Sequence, residues 1–186
     1  MMRDKFLKPI LILMSVTSLL MCFGCRTSRT EAEIKQLSGR RIQFPEAYEI
    51  IKSSNVSGVE NPLNKRLKIV TYVDDKMCSV CAMRILLDWQ QFLHDIGRDV
   101  GFVAIAYPGS KMAFESAMTE LDIRLPIIYD VNNSFLSSNR LGHIRARCRT
   151  FLLDEHNKVI LVGEPLNSPK LKSLYKTTVH SLYDER

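Results

Sequence analysis

The run LKIVTYVDDKMCSVCAMRILLDWQQFLHDI, residues 67–96, changes its hydrophobic period partway along. Leu67–Val73 is a short apolar run rich in β-branched residues and reads as a buried strand. From residue 79 to 96 the apolar positions Ala82, Ile85, Leu86, Trp89, Phe92, Leu93 and Ile96 form one helical stripe. Cys78-Ser79-Val80-Cys81 sits where the strand gives way to the helix. Backbone N–H groups at a helix start favour an anion, so a thiolate at Cys78 is stabilised there. Cys81 follows one turn later, close enough to close a disulfide with Cys78. An attacking and a resolving thiol are the minimum for exchange. A C-x-x-C at such a junction is a specific redox signal.

Beyond this stretch the elements alternate. Val100–Tyr107 is a second strand, closed by Pro108-Gly109. Ser110 is placed to cap a helix reaching about Leu121. Pro126–Tyr129 is a third strand, and residues 132–141 suit a short helix or turn. Thr150–Leu153 and Val159–Val162 are strands joined by the turn-forming residues 154–158. Ser168-Pro169 starts the last helix, with Ser as N-cap and Pro at the first position. Upstream, residues 40–65 hold an apolar stretch around Ile42 and Phe44, then a loop rich in Ser, Asn, Gly and Pro. Parallel strands with crossover helices, followed by an antiparallel hairpin, predict an α/β chain with a mixed central sheet and helices on both faces.

Residues 1–24, MMRDKFLKPILILMSVTSLLMCFG, place Arg3, Lys5 and Lys8 ahead of an apolar segment too short for an ordinary membrane span. The end, Cys22-Phe23-Gly24-Cys25, resembles a lipobox, in which the cysteine after a small residue is lipidated and becomes the mature N-terminus. Gly24 fits; Cys22 stands where leucine is usual. Ordinary secretion and an uncleaved anchor are the alternatives, and all three export the chain to a compartment where disulfides persist. The expected organisation is a signal peptide over 1–24, a polar lipid-anchored linker over 25–40 with a helical turn around Glu31–Leu37, and one domain over 41–186. The expected location is a bacterial membrane, with the domain facing the periplasm or the cell surface.

Composition narrows the rest. A hydrophobic fraction of 46% excludes a disordered chain. The net charge of +6 is spread without long runs, which argues against a nucleic-acid partner. No Gly-rich phosphate loop, Ser/His/Asp pattern or carboxylate pair stands out. Trp89 and the methionines read as core, and no cofactor is expected.

The order of elements and the place of Cys78 and Cys81 resemble the thioredoxin-like fold, a three-layer architecture. The match is nearest to the exported TlpA-type thiol oxidoreductases and their peroxiredoxin relatives. Thr150-Phe-Leu-Leu-Asp154, Asn157-Lys-Val-Ile160 and Gly163 resemble their "TFLID…G.I…G" segment, and Pro126–Asp130 their "P…D" strand. A group of small lipoproteins shares the same ending, through Gly163-Glu-Pro165 and Asn167-Ser-Pro-Lys170. The resemblance covers roughly residues 66–182. It implies that Cys78 attacks and Cys81 resolves, with protein thiols or disulfides outside the cytoplasm as partners. The sequence departs from the pattern at Met77, where thioredoxins usually carry Trp, and at Cys148, which falls where they carry a cis-proline. A non-proline residue there predicts a trans peptide and puts the usual substrate groove in doubt.

Cys148 has three readings. It is a third thiol facing Cys78, a soft-metal ligand with Cys78, Cys81 and His143, or a small buried hydrophobe. His143 read alone is a surface-loop histidine. Arg140, Arg145, Arg147 and Arg149 surround this loop, as a field that lowers thiol pKa values or as solvated charges. Arg147 is placed at the groove beside Cys148. The rivals to exchange chemistry are therefore a copper- or zinc-binding module and a redox-silent scaffold.

Overall fold

The structure, a computed structural model, describes residues 29–54, 56, 60–73 and 79–185. The chain divides into two compact units, Met1–Gln36 and Leu37–Arg186. In the first, the described residues 29–36 are helical, and Arg29 and Glu33 form an i,i+4 ion pair at 3.8 Å.

The second unit is built on β1 (Tyr48–Ile51), β2 (Lys68–Val73), α1 (Ser79–Ile96), β3 (Gly101–Ala106), α2 (Lys111–Glu120), β4 (Ile127–Asp130), α3 (Phe135–Ser138), β5 (Thr150–Leu153), β6 (Val159–Val162) and α4 (Pro169–Asp184). The strands form one sheet in the order β1-β4-β3-β2-β5-β6. β2, β3 and β4 are parallel; β1, β5 and β6 join antiparallel. This is the mixed sheet expected. The central strands lie under cover on both sides, and β3 is buried at every position.

Side chains alternate across the sheet and build two cores. On one face Ile69, Phe102, Ala104 and Leu152 pack with Met83, Leu86, Trp89, Phe92 and Ile96 of α1, Phe114 and Met118 of α2, and Tyr175 and Val179 of α4. On the other face Val70, Val103, Ile105, Ile128 and Phe151 pack with Leu37, Ile42, Phe135, Leu141 and Ile144. The result is three layers.

Local chemistry explains the element ends. Ser110 Oγ accepts from the Ala113 N–H and Ser168 Oγ from the Leu171 N–H, both at 3.3 Å, so both expected caps form. Buried Asp130 accepts from the Phe135 N–H at 2.7 Å and from the Ser134 hydroxyl at 3.1 Å, tying β4 to α3. Gly101 starts β3 hard against the turn at Pro62: a Cβ there would lie 2.7 Å from the Pro62 carbonyl oxygen. In the β5–β6 turn, Asp154 Oδ1 accepts from the His156 and Lys158 N–H groups, each at 2.8 Å.

Two features differ from the sequence reading. Tyr48–Ile51 falls in no expected element, yet it pairs with β4 along its length, from Tyr48 opposite Asp130 to Ile51 opposite Ile127. It is a 4-residue edge strand with only Ile51 buried, too short to show a period. The compact unit also begins at Leu37. The Gly39 N–H donates to the Val159 carbonyl at 2.9 Å, the Val159 N–H to Arg40 at 2.8 Å, and the Ile42 N–H to Asn157 at 2.9 Å. Part of the expected linker thus adds backbone pairing to the edge of the hairpin.

Candidate functional site

β2 ends at Val73 and α1 begins at Ser79, so Cys78 directly precedes a helix that follows a central strand. Cys78, the signal segment and Cys25 lie outside the described residues. Cys81 is placed as a helical position in the first turns of α1. The helix is held along its length by fully buried Met83, Leu86 and Trp89, with Phe92 and Ile96 beyond. A helix seated this firmly has a start whose place against the sheet is set by packing.

A cleft of about 200 Å³ opens beside this junction, at the end of β2 that leads toward Cys78. Thr71 and Thr150 face each other in the β2–β5 register, and their hydroxyls share a buried hydrogen bond of 2.9 Å. Val73, Ile85, Leu86 and Trp89 supply its apolar wall. Glu164 and Asn167, from the connection between β6 and α4, supply its polar side. Trp89 is fully buried, and its indole N–H has no acceptor among the described residues. Such a donor lacks the compensation that a buried polar group normally finds.

Gly163 and Tyr175 shape the Glu164 side. Gly163 has φ +118°, and a Cβ there would come within 3.1 Å of Leu171 Cδ2, so this bend needs glycine. The Tyr175 hydroxyl donates to the Gly163 carbonyl at 2.8 Å. Burial, and then the nearby Glu164 carboxylate, push the Tyr175 phenol far above its usual range, so it stays neutral. The Glu164 N–H donates to the Arg147 carbonyl at 3.1 Å. Burial raises the Glu164 carboxyl above the ordinary carboxylate value. Its carboxylate makes no hydrogen bond or ion pair among the described residues.

The loop expected to carry a third ligand is arranged differently. Ala146–Cys148 forms a 3-10 turn in which Arg147 is exposed and Cys148 buried. Every described peptide bond is trans, including those around Cys148. Cys148 belongs to the core with Val70, Phe151 and Ile144, on the sheet face opposite the one α1 covers. Its described core neighbours are apolar. His143 is exposed. Arg149 braces the loop, its guanidinium donating to the Ile144 carbonyl at 2.8 Å and the Gly142 carbonyl at 3.3 Å. Among the described residues no group of three His, Cys, Asp or Glu side chains is placed to hold a metal ion.

Sequence reasoning missed Thr71, Thr150, Glu164 and Asn167 as a set. One signal was legible: in Leu67, Ile69, Thr71 and Val73 every second residue faces inward, and Thr71 is the polar break in that row. Glu164 and Asn167 carry no such mark, because only the fold brings their loop to the end of β2.

No protein-family model matches the chain, and no curated protein matches it in sequence. Solved structures do match. A candidate thiol-disulfide oxidoreductase from Bacteroides vulgatus aligns with TM-score 0.53 and 18% identity, over 77% of this chain and 93% of its own. A candidate electron-transfer protein from Aquifex aeolicus aligns with TM-score 0.52 and 10% identity, over 75% of this chain and 95% of its own. PrxQ of Xylella fastidiosa, in a cysteine-to-serine mutant form, aligns with TM-score 0.50 and 9% identity, over 78% of this chain and 96% of its own. At these identities the likeness speaks for the fold, and with the sheet order and the layers described above, the domain has the thioredoxin-like fold.

Proposed function

We propose that the protein is a membrane-tethered thiol–disulfide exchange protein acting outside the cytoplasm, in which Cys78 attacks and Cys81 resolves. What supports this reading is that, in a thioredoxin-like sheet, the central strand β2 ends at Val73 and α1 begins at Ser79, so the sequence motif Cys78-Ser-Val-Cys81 falls at the helix start. The Bacteroides vulgatus structure, described as a candidate thiol-disulfide oxidoreductase, supports the same chemistry.

In the proposed cycle the Cys78 thiolate attacks one sulfur of a partner disulfide. The partner S–S bond breaks, its other sulfur leaves as a thiolate and takes a proton, and a mixed disulfide forms. Cys81, deprotonated, then attacks Cys78 Sγ and releases the second partner thiol. Two electrons pass from the Cys78–Cys81 dithiol to the partner, and the reverse sequence oxidises a partner dithiol. The dipole at the start of α1 stabilises the attacking thiolate.

Tethering is proposed through Cys25, lipidated after removal of residues 1–24. No helix among the described residues is long and apolar enough to cross a membrane.

The test is alkylation of the reduced, membrane-isolated chain as a function of pH, with disulfide reduction measured in parallel. Cys78 is expected to react first, with a pKa below the roughly 8.5 of an ordinary thiol. Cys78→Ser is expected to abolish disulfide reduction. Slow, equal labelling of Cys78 and Cys81 with no reductase activity would favour a structural disulfide. Mass spectrometry is expected to find lipid on an N-terminal Cys25, and a Cys25→Ala chain carrying the same lipid would refute the anchor.

A further inference from the structure

The cleft beside the α1 junction joins an apolar wall to acceptors that the fold leaves unused. Val73, Ile85, Leu86 and Trp89 line a space of about 200 Å³, which accommodates one long side chain. At its polar side stand the Glu164 carboxylate and the Asn167 side-chain amide. Neither side chain forms a hydrogen bond or ion pair among the described residues. Glu164 is the one charged residue of the described lining. Its backbone is held on both sides, by its own N–H to Arg147 and by the Tyr175 bond to Gly163, so the carboxylate is presented on a fixed loop.

A half-buried carboxylate normally gains a cation or several N–H donors. Nothing described supplies one. The charged and titratable groups around the loop are exposed Arg147, half-buried Arg145 and the neutral Tyr175 phenol, which donates to a carbonyl. Glu164 is part-exposed and Asn167 exposed, so both are open to an incoming donor, and the shape of the cleft says which donor fits. An apolar stem would run along half-buried Val73 and Ile85, with Leu86 and Trp89 packed directly behind them, and a donor-rich cationic head would end at Glu164 and Asn167. Arginine and lysine side chains have this construction. The guanidinium fits better, because its five N–H donors can reach a carboxylate and an amide oxygen together.

We propose that this cleft is a specificity pocket for a basic side chain, arginine above lysine, on the polypeptide that exchanges disulfides with Cys78. The inference rests on the exchange reading above. It adds that the partner carries a basic residue near its reactive cysteine, seated beside Thr71 and Thr150 and paired with Glu164.

Trp89 is the only tryptophan of the chain and lines the cleft, so its fluorescence reports occupancy without any redox chemistry. The probes are cysteine-free tripeptides, acetyl-Ala-X-Ala-amide, with X arginine, norleucine or glutamate, added to the full-length chain isolated from membranes. The arginine peptide is expected to shift Trp89 emission saturably and to bind at least about fivefold tighter than norleucine, with glutamate weakest. Glu164→Gln is expected to bring arginine and norleucine within about twofold of each other while norleucine affinity holds, which shows that the cleft is still formed. Asn167→Ala is expected to weaken arginine binding and leave norleucine unchanged. Equal arginine and norleucine binding in the native chain, a preference that survives Glu164→Gln, or no binding of any peptide would each overturn the proposal.

Exchange with disulfide-linked versions of the same peptides separates this inference from the reading beneath it. Exchange that ignores X leaves Cys78 chemistry standing and removes the pocket. Selective binding without exchange keeps the pocket and removes the chemistry.

Discussion

The two faces of the sheet are made from alternate residues of the same strands, yet they end differently. The face carrying Cys148 is covered by Phe135, Leu141, Ile144, Leu37 and Ile42. The face under α1, α2 and α4 is equally apolar over most of its area, but it opens at the end of β2. There two threonines replace apolar side chains, and among the described residues the Trp89 N–H has no acceptor and the Glu164 carboxylate no partner. The Cys148 face pairs its buried polar groups internally, Asp130 and Asn139 with the backbone of Phe135, whereas the other face leaves Glu164 without a hydrogen bond or ion pair among the described residues. Cys148 is buried among the apolar residues of the first face.

The sharpest way to break this contrast is on the Cys148 face. Phe135 is fully buried and stacks on Tyr72 with ring centroids 6.0 Å apart. Phe135→Ala is expected to cost about 3–5 kcal/mol by urea unfolding, because the site cannot collapse around the lost ring. A cost below about 1 kcal/mol would mean that this face is not tightly covered.

On the open face the Thr71–Thr150 pair tests whether its polarity is structural. Thr71→Val is expected to cost about 1–2 kcal/mol, since it leaves the buried Thr150 hydroxyl without its partner. The double change to valine at both positions is expected to recover most of that loss. A double variant no better than Thr71→Val would show that the pair does more than satisfy itself.

Cys148 gives a third test. Cys148→Ala is expected to cost about 1 kcal/mol of stability, as a small core truncation, and to leave disulfide exchange within about twofold. A large loss of exchange would return Cys148 to the site and undo the comparison.

The smallest effect is electrostatic. Burial raises the Glu164 carboxyl in the folded chain above its unfolded value, so the fold binds that proton more tightly. Stability measured against Glu164→Gln is therefore expected to fall as pH rises from the ordinary carboxylate range through the raised native value, and to level off above it. A difference that stays flat across that range would mean Glu164 is as well solvated folded as unfolded.

Much of this is legible in the residues themselves. The period change across residues 67–96 located β2 and α1, and Ser110, Ser168-Pro169 and the 154–158 turn marked real boundaries. These signals are local: a cap, a turn or a stripe is written in residues a few positions apart. The short edge strand Tyr48–Ile51 escaped because its partner, β4, is remote in sequence and its own pattern is too brief.

The residue pattern alone therefore determined the class of fold and the presence of a thiol pair at a strand–helix junction. It could not determine which face Cys148 joins, because a 3-10 turn before β5 breaks the alternation that would have told. Nor could it bring Glu164 and Asn167 to the end of β2, a strand far away in sequence. Those placements depend on packing and on the sheet order β2-β5-β6, which bring distant segments together through contacts that no local period encodes.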